Sequence, residues 1–157
     1  MLGKTYDTQV CSIARSLELV GERWSLLIIR DALFARVTRF GDFQHNLGIA
    51  TNVLAARLDA FVNSGIMRRE GSVDYVLTAK GHALATALIA LTEWGDDWAA
   101  PGEPPILYQH GSCGRPVTAV VVCDECGVID AGEAKVQLGP GMPAEYVAAR
   151  RGGQRAS

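Results

Sequence analysis

The sequence predicts a mainly α-helical protein with one small β-hairpin, followed by a small β-rich segment. Three observations carry that prediction. Apolar residues recur at helical spacing through residues 11–98. One turn-forming break, Gly71-Ser-Val-Asp74, sits between two short β-prone runs. The composition then shifts at Pro101-Gly-Glu-Pro-Pro105, a connector that cannot continue a helix because proline has no amide proton and its ring collides with the preceding turn. The expected units are residues 1–100, residues 101–148 and a flexible tail over 149–157, where no apolar periodicity remains.

The elements follow in order. Residues 11–20 place Ile13, Leu17 and Val20 on one helical face, and Gly21 interrupts them. A second helix over residues 24–33 is expected to turn Trp24, Leu27, Ile28 and Leu33 inward. Phe40, Phe43 and Leu47 mark a short helix that stops at Gly48. Thr51 is expected to cap the next helix, whose core stripe is Leu54, Leu58, Phe61 and Val62. Asn63-Ser-Gly65 ends it, with Gly65 in the left-handed position that a helix terminus favours. Residues 66–70 and 75–77 form the hairpin. Thr78 caps a long helix to Trp98, with Leu84, Leu88, Leu91, Trp94 and Trp98 down one side. The two tryptophans fit either the core or a surface for a second copy.

A short helix, a tight turn, a second helix and a hairpin make the winged form of helix-turn-helix. The B-DNA major groove, about 12 Å wide, admits one helix, and a hairpin beside it reaches the flanking backbone. If Thr51–Asn63 is the reading helix, its outward side chains are Thr51, Asn52, Ala55, Ala56, Arg57, Asp59 and Ala60. Asn52 can take the N6 and N7 of adenine together, and the alanines permit close approach or touch a thymine methyl. Arg57 reaches phosphate or guanine, while Arg39, Arg68 and Arg69 supply phosphate contacts that position the protein without reading sequence. Taken singly, each arginine is equally well explained as solvated surface. Their placement together on one element and its hairpin favours the nucleic-acid reading.

The chain has 157 residues, 15 Lys+Arg against 17 Asp+Glu, and 48% hydrophobic residues, a globular composition. Its net charge of −2 excludes a strongly basic nucleic-acid coat but leaves room for a local basic face. No apolar run approaches the roughly 20 residues of a membrane span. The opening MLGKTYDTQV has no apolar signal core, so the expected location is the cytoplasm, where thiols stay reduced.

The run from Cys11 to Glu70, then Tyr75-Val-Leu-Thr-Ala-Lys-Gly-His-Ala-Leu84, resembles HxlR-type winged helix-turn-helix regulators, relatives of the MarR group. The pieces that carry the resemblance are Cys11, Gly21-Glu-Arg-Trp24, Arg39-Phe40-Gly-Asp-Phe43, Asn52-Val-Leu54 with Arg57-Leu58, and Leu77-Thr-Ala-Lys-Gly81. The resemblance spans residues 11–98 and implies a dimeric bacterial transcription regulator, usually bound to an inverted repeat of double-stranded DNA. It also implies that Cys11 is a candidate redox or electrophile sensor, as in some relatives. A small-molecule effector is compatible with it. A homodimer follows independently from geometry, since two copies span major-groove faces one turn, about 34–36 Å, apart. The Cys11 thiol lies where a helix dipole favours reactivity. Cysteine is nevertheless among the residues most often buried, which favours a plain packing role.

Beyond the connector, the sequence reads His110-Gly-Ser-Cys113-Gly, nine residues, then Cys123-Asp-Glu-Cys126-Gly. Three thiols and one imidazole in two knuckles, each followed by glycine, match a closed tetrahedral zinc site of structural type. Residues 116–122 are expected to form a strand and residues 127–136 its partner. A site with three cysteines and a water, or a redox pair of Cys123 and Cys126 without metal, fits the same residues.

Catalysis is not expected. The chain has no phosphate-cradling glycine loop, no nucleophile elbow and no βαβ frame around its Cys-x-x-Cys, and His45, His82 and His110 lie in unrelated contexts. The alternative to a DNA-binding regulator is a protein-interaction adaptor built from a winged helix and a zinc ribbon.

Overall fold

A computed structural model describes residues 5–7, 9–99 and 102–153. The periodic segments fold as helices α1 (Ser12–Val20), α2 (Ser25–Phe34), α3 (Phe40–Leu47) and α4 (Thr51–Asn63). Strands β1 (Met67–Glu70) and β2 (Asp74–Leu77) follow, then α5 (Ala79–His82) and α6 (Ala85–Trp98). The core joins Ile28, Ile29 and Leu33 of α2, Phe43 of α3, Leu54, Leu58 and Phe61 of α4, Met67 and Tyr75 of the hairpin, and Leu88 of α6. Eight large side chains of this set or beside it, Phe43, Phe61, Ile28, Ile29, Leu54, Leu58, Ile66 and Met67, are essentially sealed from water. Burying each contributes about 1.5–3 kcal/mol relative to exposure.

The turn chemistry read from sequence is realised at two glycines. Gly48 ends α3 at φ +60° and Gly65 follows α4 at φ +73°, both left-handed. At Gly65 the amide donates to the Val62 carbonyl (3.1 Å) and that of Ile66 to the Phe61 carbonyl (2.9 Å). This pair of bonds satisfies carbonyls that a helix end otherwise leaves open. Lys80 Nζ adds a 2.7 Å bond to the Ser64 carbonyl, placing a cation at the negative end of α4.

The hairpin is antiparallel, with Met67 opposite Leu77 and Glu70 opposite Asp74. It is tied back to the segment before α3. The Tyr75 amide donates to the Thr38 carbonyl (2.8 Å), and Thr38 Oγ1 donates to Asp74 Oδ1 (2.6 Å). Gly81 locks α5 onto it from the other side, because a Cβ there would overlap the Ile66 carbonyl oxygen and the Leu77 side chain.

Several expectations are corrected. Thr51 does not cap α4. Ala50 holds the N-cap position, and Thr51 Oγ1 instead accepts a 2.7 Å bond from Gln44 Nε2 that couples α3 to α4. The single long helix beginning at Thr78 is two helices. Thr78 caps α5, accepting from the Gly81 amide, and the chain tightens at Ala83 and Leu84, where the Leu84 amide bonds the Gly81 carbonyl three residues back. Trp94 and Trp98 are not core residues: they are 57% and 77% exposed, whereas Leu88, earlier on the same helix, is buried. Ile13, Leu17 and Leu27 are likewise outside the core.

Beyond the connector, β3 (Val121–Cys123) and β4 (Gly127–Ile129) pair antiparallel, and a 3-10 turn, Ala131–Glu133, follows. The strands expected over 116–122 and 127–136 are therefore shorter, limited to three residues on each side. Helix α7 (Ala144–Gly153) crosses the expected boundary at 148, so residues 149–153 are helical rather than tail. Alanine and arginine have high helix propensity without needing an apolar stripe, which periodicity alone does not detect. The rest of that expected tail, residues 154–157, lies outside the described residues.

Candidate nucleic-acid interface

Helix α4 is held at three sides. Leu54, Leu58 and Phe61 fix its inner stripe, Gln44 ties its first turn to α3, and Lys80 closes its end. That leaves Thr51, Asn52, Val53, Ala56, Asp59 and Ala60 exposed, with Ala55 and Arg57 half-buried. The face turned to solvent over the first turns is thus narrow and small, apart from the amide of Asn52. Ala50 offers no side-chain acceptor to that turn, although its carbonyl accepts from the Val53 and Leu54 amides at 3.0 Å each, so it is the amides of Thr51 and Asn52 that are turned to water or an anion. Val53, 37% exposed, was not singled out from the sequence. It lies between the core stripe and the outward face, and its only signal was position within the first turn.

Each of the four arginines expected to contact DNA has an acidic neighbour. Arg39 Nε lies 3.8 Å from Asp74, Arg57 Nη1 3.9 Å from Glu22, Arg68 Nη1 3.1 Å from Glu70 and Arg69 Nη2 3.4 Å from Asp59. Arg69 also stacks over the Tyr75 ring at 4.6 Å. Three of the four, Arg39, Arg68 and Arg69, keep more than half of the side chain exposed. Such exposed pairs are worth about 0–1 kcal/mol, so a phosphate competes readily for the guanidinium. Arg57 differs. Its side chain is only 26% exposed and leans toward Glu22 rather than outward.

Cys11 is exposed, which corrects the expectation of a buried packing residue. It sits in extended backbone at the N-cap of α1. Amide bonds from Ala14, then Ile13, hold its thiol below the ordinary value, outweighing a small burial effect. It lines an open cleft of about 660 Å³ with Val10, Arg15 and Met142.

The C-terminal donors form two separate pairs. His110 Nδ1 is 3.2 Å from Cys113 Sγ. Cys123 is lowered below the usual thiol range, mainly by amide bonds from Cys126 and Glu125 and then by the Cys126 side chain. All four cysteines are free, and among the described residues no three His, Cys, Asp or Glu side chains converge on one point.

A four-helix core in which α3 and α4 are followed by an antiparallel hairpin, with one face of α4 left exposed, defines a winged helix-turn-helix protein. The profile of the HxlR-like helix-turn-helix family matches residues 19–103, and the chain belongs to that family. An uncharacterised HTH-type transcriptional regulator of Mycobacterium tuberculosis (strain ATCC 25618 / H37Rv) is 39% identical over 142 residues, covering 85% of this chain and 89% of the relative. The crystal structure of PA1607, itself assigned only provisionally as a transcription factor, is 39% identical with a TM-score of 0.73. That similarity covers 84% of this chain and 97% of the other. Quinone-bound YodB from B. subtilis is 28% identical with a TM-score of 0.51, over 57% of this chain and all of that one. The protein is a DNA-binding transcriptional regulator, not an enzyme. Among the described residues no helix is long and apolar enough to cross a membrane.

Proposed function

We propose that the protein acts as a homodimer that reads an inverted-repeat operator with one α4 helix per subunit. The observation that carries this reading is the exposed first half of α4, with Asn52 as its hydrogen-bonding side chain and Thr51, Val53, Ala55 and Ala56 shaping a surface thin enough for the major groove. Arg39, Arg68 and Arg69 exchange their carboxylate partners for phosphates, and Arg57 joins them on release from Glu22. The dimer is supported by apolar side chains that the described chain leaves uncovered on α1 and α6. Ile13 is 70% exposed, and Leu91, Trp94 and Trp98 run along α6 in the same state. Uncovered apolar surface of this kind marks an interface.

Response to electrophiles is assigned to Cys11. Its thiol is exposed, favours the thiolate and opens on a cleft, and a thiolate adds to a quinone, the ligand carried by the similar YodB structure.

The test is selection from random duplexes joined to light scattering. The expected result is enrichment of a two-fold symmetric site and a mass of two chains. Ile13→Glu with Trp98→Glu is expected to give monomers and loss of the symmetric site. Selection that enriches no sequence supports the adaptor alternative and overturns the reading.

A further inference from the structure

We propose that His110, Cys113, Cys123 and Cys126 bind one Zn²⁺ ion, and that this ion holds residues 108–129 in their two hairpins. Three features of the structure lead there.

The first is a segment with defined turns and no core. Among the described residues from 102 to 148, none is buried. Val120, Val122 and Val128 are 55%, 61% and 66% exposed. A two-stranded hairpin of three residues a side is marginal in water by itself. Small units that bury little are held by disulfides or metal, and Cys113, Cys123 and Cys126 are free.

The second is a turn built twice. His110 and Cys113 flank a tight loop in which the Gly114 amide bonds the His110 carbonyl and the His110 amide bonds the Arg115 carbonyl, both at 2.8 Å. Cys123 and Cys126 flank another, closed by the pairing of Cys123 with Gly127. In both, the donors are three residues apart and the next residue is a glycine in the left-handed region, Gly114 at φ +66° and Gly127 at φ +77°. Two unrelated local sequences thus converge on one backbone shape, and the only residues they share in it are the donors and the glycine.

The third is reach. The turns are joined through Val117 and Val121, and the four backbone steps between these residues span at most about 14 Å. Among the described residues the two pairs do not meet on one point. Closing both on one ion, at Zn–S and Zn–N distances of about 2.3 and 2.0–2.1 Å, requires this linker to turn and to give up the bond from the Ala119 amide to the Glu93 carboxylate. On binding, three thiols give up three protons to solvent, and three thiolates and one imidazole nitrogen displace the waters of the hydrated ion, with no change of oxidation state.

The full chain, purified without chelator, is assayed for zinc and titrated with Co²⁺ after metal removal. About one zinc per chain is expected, together with the visible absorption of a tetrahedral cobalt thiolate. Thiol labelling of the native protein is expected to modify Cys11 alone quickly and all four cysteines after chelation in denaturant. The double variant C123S/C126S is expected to lose the metal, and should it not fold, the Co²⁺ titration of the unmodified chain still decides. Zinc below roughly 0.2 per chain with no cobalt spectrum overturns the proposal. So does metal retained by the double variant, or two missing thiols that reductant restores, which indicates a Cys123–Cys126 disulfide. None of these readouts depends on operator binding, so the DNA reading stands or falls separately.

Discussion

The hairpin Met67–Leu77 and the hairpin Val121–Ile129 use the same antiparallel pairing but are secured differently. In the first, Met67 and Tyr75 are buried, Thr38 bonds Tyr75 and Asp74, and Gly81 lets α5 press against the turn from α4. In the second, no residue is buried, and ties to the helices come from neighbouring residues. Phe34 packs on Tyr108 with ring centroids 4.7 Å apart, Thr92 Oγ1 lies 3.4 Å from the Tyr108 hydroxyl, and the Glu93 carboxylate accepts from the Ala119 amide. The comparison teaches that a wing needs no length of its own when a helical core seats it. The ribbon has no such seat among the described residues.

The comparison can be broken at several points. Phe61→Ala is expected to destabilise the helical unit by about 3–5 kcal/mol, read as a lower urea midpoint. Val122→Ala in the ribbon is expected to stay within about 0.5 kcal/mol. Equal losses would mean that both hairpins share one core. Gly81→Ala forces a methyl against the Ile66 carbonyl and is expected to cost about 1–3 kcal/mol in the same unfolding curve.

Smaller effects concern the reading face. Arg68→Ala, which removes one phosphate partner, is expected to flatten the plot of log affinity against log salt by about one unit of slope, with little change in sequence preference. The depressed Cys11 thiol gives a pH signature. Its alkylation is expected to outpace that of a free cysteine at neutral pH and to slow as the pH falls through its lowered pKa, measured by mass spectrometry of the modified peptide.

Much of the helical unit was legible in the sequence because its signals are local. Leu54, Leu58 and Phe61 declare their face by spacing, and Gly48 and Gly65 declare the helix ends by conformational need. What escaped depends on contacts distant in sequence. Thr51 looked like a cap until Gln44 claimed its hydroxyl, and Arg57 looked outward until Glu22, thirty-five positions earlier, stood beside it. Trp94 and Trp98 fitted the helical stripe, but a stripe says only that a face is apolar, not that this chain covers it. On α4 the side chains expected to face outward are exposed, except Ala55 and Arg57, which are half-buried, and Val53 joins them. The ion pairs that quiet its arginines could not be seen without the fold.

The central claim rests on Asn52 reading a base edge from an exposed helix. The most direct measurement compares the affinity of the protein and of N52A for the selected operator and for an unrelated duplex at one salt concentration. The account predicts that N52A weakens operator binding by about 1–3 kcal/mol, roughly 5- to 150-fold, while binding to the unrelated duplex and thermal stability stay unchanged. Operator affinity that is unaltered in N52A would contradict it.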